Sequence, residues 1–165
     1  MDSLILTNEW ANQIEQADLD VMADRLIAMQ EKDGNRAGVE LKRFGGATAL
    51  LTRGIPISDF NKVYGFSPDD LDELDAINDF YQSQVGKIPY GIDVIPSRTS
   101  PEMFRRLTEK GFQQTGFHTA FICGVDEIVW MPASGVDIRQ VEASDLGTME
   151  KTFIESLEIP YQDTS

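Results

Sequence analysis

Carboxylates crowd the start of one helix-like segment, "GFSPDDLDELDAINDFYQ", at residues 65–82. Ser67 can cap a helix there, Pro68 suits the first helical position, and Asp70 completes a capping box. A helix start after a strand is where many α/β proteins hold phosphate, because unpaired N–H groups and the helix dipole attract anions. Acidic side chains would repel such a ligand. The question is therefore why carboxylates stand where an anionic ligand would bind. The acidic residues of the segment's first turns are Asp69, Asp70, Asp72, Glu73 and Asp75.

Three polar side chains near predicted strand ends are candidates for lining a groove or contacting a substrate. Asn61 and Tyr64 lie in the predicted third strand, "FNKVYGF", and Tyr64 fits either a core aromatic or a residue that lines a groove. Asn61 also fits a structural role, because a buried amide must have its hydrogen bonds satisfied and the preceding "GIPIS" turn offers partners. Arg98 follows a predicted strand at its carboxyl end, where open sheets bind ligands, and a solvated turn is the alternative.

The sequence gives little support for a catalytic histidine or for a zinc or calcium site. His118, the single histidine, lies in the apolar stretch "GFHTAF", and the sequence supplies no partner that a general base would need. One histidine and one cysteine exclude a conventional zinc site, and the carboxylates of residues 69–79 lack the spacing of a calcium loop. We therefore assign no catalytic residue and no metal ligand.

Length, composition and charge indicate the broad class of protein. The 165 residues, 41% hydrophobic and 25% charged, fit one ordinary globular domain. There is no signal-peptide pattern and no apolar run near the roughly 20 residues of a membrane-spanning helix, so we expect a cytoplasmic protein. The net charge of −14 argues against nucleic acid and anionic membranes as partners, because both rely on Lys and Arg.

The pattern of apolar residues predicts an α+β (mixed α/β) domain with one central mixed sheet and helices on both faces. Residues 7–32 have helical spacing, and "ADLD" is a point where this segment can divide into two helices. Gly45-Gly46 is the predicted turn between the first two strands. A third strand, the acidic helix and a fourth strand follow. Next come a helix capped by Ser100, a fifth strand at residues 116–125, and a short helix from Ser144.

This order of elements resembles the GNAT acetyltransferase superfamily, and three motifs carry the resemblance. "LTEKGF" at residues 107–112 is similar to the leucine–x–x–x–Gly–Phe end of a late helix in that superfamily. "VDIRQVEASDLGTMEKTF" at residues 136–153 is similar to the opening of a second domain in two-domain members. One subgroup carries a P–x–x–x–F–N–x–V–x–G stretch in its N-terminal half, and the residues that match it are Pro56, Phe60, Asn61, Val63 and Gly65.

The resemblance implies two parts of the chain. Residues 1–130 would form a GNAT-like domain, and residues 131–165 would form a linker and the start of a second such domain, as a strand plus a short helix. We expect the segment from residue 137 to swap onto another chain or to pack as an incomplete appendage. A homodimer or packing against a second GNAT domain is the implied assembly, and a small amine is the implied substrate if the chain is active.

The chain departs from the superfamily at the cofactor loop. Active members hold the acetyl-CoA pyrophosphate on N–H groups at a glycine-rich helix start, whereas the equivalent place here reads "GFSPDDLDE". Pro68 removes a donor, and Asp69 and Asp70 would repel the pyrophosphate. We therefore expect a degenerate cofactor site with no cofactor-binding residue and no cofactor bound by this chain. Acetyl-CoA would be the cofactor if the activity of the family is retained.

Three functions remain as hypotheses. The first is an acetyltransferase-like domain that acts as the N-terminal part of a two-domain acetyltransferase without binding acetyl-CoA itself. The second is an active acyl-CoA-dependent N-acetyltransferase with an atypical cofactor loop. The third is an acidic interaction protein that binds a basic partner, which the charge of −14 would suit.

Overall fold

The computed structural model describes residues 7–32, 34–122, 135 and 139–156, with only the backbone at residues 153 and 154. The chain divides into two compact units, Met1–Ala120 and Phe121–Ser165. Within the described residues, the first unit contains four strands and three α-helices, and the second contains one α-helix. The predicted domain boundary at residues 130–131 lies outside the described residues and stays a prediction.

The first helix, α1, spans Asn8–Glu31. Thr7 caps it, and the Thr7 hydroxyl accepts a hydrogen bond from the Trp10 N–H at 3.2 Å. The helix continues through "ADLD" at residues 17–20, so the division into two helices does not occur. This stretch contains neither glycine nor proline, the residues that most disfavour a helix interior. Among the described helices, none is both long and apolar enough to cross a membrane.

Four strands form one mixed sheet in the order β1-β2-β3-β4. They are β1 at Val39–Phe44, β2 at Ala47–Thr52, β3 at Lys62–Tyr64 and β4 at Gly91–Ile92. The first three strands pair antiparallel, whereas β3 and β4 pair parallel. A parallel pair needs a crossover connection, which the acidic helix provides. The predicted hairpin turn at Gly45-Gly46 is confirmed, since Phe44 pairs with Ala47.

The acidic segment begins as a 3-10 helix at Pro68–Glu73 and continues as α2 at Leu74–Gln82. After β4 and a 3-10 turn at Pro96–Arg98, α3 spans Pro101–Glu109. The predicted cap of α3 is confirmed, because the Ser100 hydroxyl accepts a hydrogen bond from the Met103 N–H at 3.1 Å. Further 3-10 helices lie at Ser58–Phe60 and Ala143–Asp145, and the second of these leads into α4 at Leu146–Ser156.

The sheet lies between helices, and each of its faces has its own core. Leu50 packs toward α1 with the fully buried Leu26, whereas Ala49 and Leu51 pack toward α2 and α3. Successive strand residues face opposite sides of a sheet, so this alternation separates the two cores. The α+β class predicted from the sequence is confirmed. The larger core contains an aromatic series of edge and stacked contacts, which consists of Phe44, Phe80, Tyr81, Tyr90 and Phe112.

The fifth strand predicted at residues 116–125 is wrong over its described part. Residues 116–122 have no strand conformation, and Phe117 and Phe121 are 85% and 94% exposed. The segment alternates apolar and polar residues as a strand does, but a strand also needs a neighbouring backbone to pair with. Residues 116–122 have no such partner among the described residues. Residues 123–125 lie outside the described part of the chain.

Tyr81 joins α2 to the sheet through a buried phenol. Its hydroxyl donates to the Leu50 carbonyl at 2.8 Å and also lies 3.1 Å from the Lys62 carbonyl. We expect Tyr81→Phe to lower the free energy of unfolding by about 1–2 kcal/mol, because a buried carbonyl loses its partner. Urea denaturation measures the loss. Tyr90→Phe is the matched control, since it keeps the ring contacts and removes only a hydroxyl that donates to Asn78 at 3.3 Å in a half-buried position. An equal loss in both variants would contradict the role of Tyr81.

Candidate functional site

A cleft of about 440 Å³ lies at the carboxyl ends of the parallel strands β3 and β4. One wall comes from α1, another from the β1–β2 hairpin, and a third from the start of the acidic segment. Tyr64 and Gly65 at the end of β3 line the cleft, as does Arg98 in the turn after β4. Open sheets bind ligands in the crevice beyond the carboxyl ends of their parallel strands. The position therefore makes this cleft the candidate functional site.

Asp70 occupies the N–H groups at one side of this cleft. Its Oδ1 accepts from the Gly46 N–H at 2.6 Å, and its Oδ2 accepts from the Ser67 N–H at 3.0 Å and from the Ser67 hydroxyl at 2.9 Å. The carboxylate is buried, with the residue only 4% exposed. The capping box predicted between Ser67 and Asp70 is confirmed. The helix start thus holds an anion that the chain itself supplies.

Glycine in the β1–β2 turn permits this close approach. Gly45 has a φ of +60°, and a Cβ on it would lie 2.5 Å from Oδ1 of Asp70. A side chain at this position would push the carboxylate away, in addition to the strain of the left-handed backbone. The hairpin and the acidic segment are therefore fitted to each other around one carboxylate.

Glu15 of α1 accepts a hydrogen bond from Gly65, the residue that follows β3. Its Oε1 accepts from the Gly65 N–H at 3.0 Å, and its Oε2 accepts from Nη2 of Arg98 in an ion pair. Both side chains are largely buried, with 13% of Glu15 and 27% of Arg98 exposed. Nε of Arg98 is buried and has no hydrogen-bond partner among the described residues. The Gly65 N–H, just after β3, is thus also hydrogen-bonded to a carboxylate of the chain itself.

Asn61 has the structural role that the sequence offered for it. Its amide oxygen accepts from the Thr52 N–H at 2.7 Å, and its amide nitrogen donates at 2.8 Å to the carbonyls of Ile55 and Ile57. The residue is fully buried, and it does not line the cleft. Asn61 therefore holds the turn between β2 and β3 in place, as the interpretation with the "GIPIS" turn predicts.

Tyr64 lines the cleft but is only 3% exposed. Burial, followed by the charges of Asp18 and Asp93, raises the pKa of Tyr64 well above its usual range. The phenol therefore stays protonated at neutral pH and can donate a hydrogen bond. It cannot act as a base there.

Two charged residues of the cleft, Glu15 and Arg43, were not among the candidates predicted from the sequence. Glu15 shares a face of α1 with Asn12 and Leu19, a spacing that the sequence does reveal, but nothing in the sequence says which N–H group it reaches. Arg43 lies on the hairpin wall, and among the described residues it makes no hydrogen bond or ion pair. Both contribute charges to the cleft that only the folded chain brings together.

Of the other residues considered for chemistry, Asp69 lies at the rim of the cleft, and the rest do not line it. His118 is exposed in the segment at residues 116–122. Asp69 and Asp72 are exposed, and Asp75 forms an ion pair with Lys110. Across residues 7–32, 34–122 and 139–156, no group of His, Cys, Asp and Glu side chains is arranged to hold a metal ion. The cleft is thus the feature on which a functional argument rests.

Comparison of the chain with protein-family models, with curated proteins and with solved structures finds no match in any of the three. The fold defines an α+β domain whose polar cleft contains two internal carboxylates, Glu15 and Asp70. What this domain does is therefore inferred from the residues of the cleft.

Asp70→Asn tests the buried carboxylate. An amide has one acceptor oxygen and two unwanted donors, so it cannot satisfy Gly46 and Ser67 together. We expect a loss of about 1–3 kcal/mol in the free energy of unfolding, measured by urea denaturation. Asp69→Asn removes the same charge one residue away on an exposed side chain and serves as the control. A similar loss in both variants would mean that net charge, and not the hydrogen bonds, is responsible.

Alkaline pH tests the burial of the tyrosines. Burial raises the pKa of Tyr64, Tyr81 and Tyr90 in the folded protein. The resulting stability is fully present below the unfolded pKa of about 10 and is lost as the pH rises above it. We expect the urea midpoint to stay level up to about pH 9 and to fall as the pH rises from about 10. Tyr64→Phe should reduce that fall, and an unchanged fall would contradict the burial of this phenol.

Proposed function

We propose that residues 1–130 form a GNAT-like N-acetyltransferase domain that does not bind acetyl-CoA and acts as the N-terminal part of a two-domain acetyltransferase. The observation that carries the proposal is the occupancy of the N–H groups at the cleft. Gly46, Gly65 and Ser67 all donate to the chain's own carboxylates. A cofactor pyrophosphate held at this edge of the sheet would need these donors.

The order of the strands supports the proposal. Two antiparallel pairings are followed by one parallel pairing, and the helix that starts at the acidic segment makes the crossover between β3 and β4. This order agrees with the order that resembles the GNAT superfamily from the first strand to α3, whereas one helix precedes β1 instead of two and residues 116–122 form no fifth strand. Gly65, the last residue of the motif stretch, has a φ of +75°, and a Cβ on it would lie 3.2 Å from the Gly46 carbonyl.

Electrostatics supports the loss of cofactor binding. A pyrophosphate would have to displace Asp70, which lies on three donors and is 4% exposed. Pro68 supplies no N–H, and Asp69 stands beside the same helix start. At about 4 Å and an effective dielectric constant near 20, one like-charge contact costs about 4 kcal/mol. The site therefore favours its own carboxylate over the cofactor.

The described part of the second unit fits a role beside another domain. Leu146 and Met149, on α4, are 55% and 53% exposed. Large apolar side chains that stay exposed on a helix commonly mark a face that packs on a partner. These residues support the assignment of residues 131–165 to the start of a further GNAT-like domain. The first domain would then shape the substrate side of that assembly or hold it as a dimer.

Calorimetric titration with acetyl-CoA tests the proposal. We expect no binding heat and no thermal shift at millimolar cofactor, because a ligand that binds only the folded state must raise its melting temperature. Assay of thiol release with a panel of small amines runs beside the titration. Micromolar affinity together with thiol release would overturn the proposal and favour an active enzyme with an atypical cofactor loop.

A further inference from the structure

Two donors at the cleft converge on a single carboxylate that another element supplies. The Gly65 N–H and Nη2 of Arg98 both bind Glu15, which is 50 and 83 residues away from them along the chain. Both donors follow the ends of the parallel strands, whereas Glu15 belongs to α1. The two donors therefore belong to the edge of the sheet. Their bonds to Glu15 show that a carboxylate suits them.

Arg98 is incompletely satisfied by this occupant. Glu15 divides its oxygens between the two donors, so Arg98 donates one hydrogen bond to it. The Nε of Arg98 is buried without a partner among the described residues. A guanidinium binds a carboxylate best through two parallel N–H groups. A carboxylate that is not tied to a helix can turn toward the Nε edge and accept both. A free carboxylate can therefore accept one more hydrogen bond from Arg98 than Glu15 does.

A second arginine faces the same cleft. Arg43 lies on the hairpin wall, is exposed, and has no ion pair or hydrogen bond with any described residue. Asp70 is already committed to Gly46 and Ser67, so Arg43 is not neutralised by it. Asp69 lines the rim and would repel a polyanion. A ligand with one or two carboxylates matches these charges better than a phosphorylated one.

The space also fits a small ligand. The cleft encloses about 440 Å³, within the range of small-molecule sites. Asn12 and Gln16 lie beside Glu15 on the wall formed by α1 and bring amide groups to the opening. The lining is therefore polar on the side that faces the ligand.

We propose that this cleft binds a small polar molecule that carries a carboxylate, which replaces Glu15 on the Gly65 N–H and on Arg98. Glu15 then acts as an internal competitor. The apparent affinity equals the intrinsic affinity multiplied by the fraction of molecules in which Glu15 has left the donors. The proposal does not depend on the assignment to an acetyltransferase fold, because it concerns a carboxylate and not acyl-CoA.

Calorimetric titration with succinate at constant ionic strength tests the site in the full chain. We expect weak binding to the original protein and binding about tenfold tighter to Glu15→Ala, because the competitor is removed. The double variant Glu15→Ala/Arg98→Ala should lose this gain. Succinamide, which has the same shape without the charges, should not bind any of the proteins.

Glu31→Ala is the matched control, since it removes the same charge from the same helix at a distance of about 24 Å along the axis. Equal tightening in Glu31→Ala would overturn the proposal in favour of a general charge effect. Absence of succinate binding to a folded Glu15→Ala protein at about 10 mM would also overturn it. If Glu15→Ala does not fold, Glu15→Gln replaces it in the test: its neutral amide can still accept from Gly65, so we expect a smaller tightening of succinate binding than in Glu15→Ala, and no tightening would overturn the proposal. The succinate test is independent of the acetyl-CoA titration: binding of acetyl-CoA would overturn the proposed function but would not change the results expected for succinate.

Discussion

The Asp70 carboxylate is the contact on which the arrangement of the first unit depends. It joins the β1–β2 turn, the chain leaving β3 and the start of the acidic helix through Gly46 and Ser67. A buried carboxylate is stable only when its acceptor sites are filled, and buried N–H groups are costly without acceptors. None of the three pieces is therefore satisfied without the others. One carboxylate of the acidic run thus connects the β1–β2 hairpin to the crossover helix.

Local patterns account for the parts of the fold that could be predicted. The Gly45-Gly46 turn, the capping box at Ser67 and the cap at Ser100 each depend on residues within three or four positions of one another. Such features are governed by backbone preference and by hydrogen bonds along the same stretch. The strand predicted at residues 116–125, which residues 116–122 do not form, shows the limit of this reasoning, because alternation describes a strand's faces but not its neighbours.

The cleft was predictable only in part. Tyr64 and Arg98 were candidates because they lie near strand ends, and both line the cleft. Asn61 was a candidate on the same grounds, but its amide serves the turn before it, an alternative that the "GIPIS" sequence also suggested. Glu15 escaped prediction, since its partners lie 50 and 83 residues away and only tertiary packing brings them to it. A side chain's long-range partner is a property of the assembled fold.

The shortness of β4 has a consequence for local opening of the sheet. Its parallel ladder with β3 covers two register positions, with hydrogen bonds of 3.0 Å from Gly91 to Asn61 and from Asp93 to Val63. By contrast, β1 and β2 pair over six positions. Local opening of a protein begins where few backbone bonds and little buried surface must be given up. The amides of β4 are therefore expected to exchange with solvent hydrogen sooner than those of the hairpin. The turn that bears Arg98 thus follows the strand with the fewest backbone pairings among the described strands of the sheet.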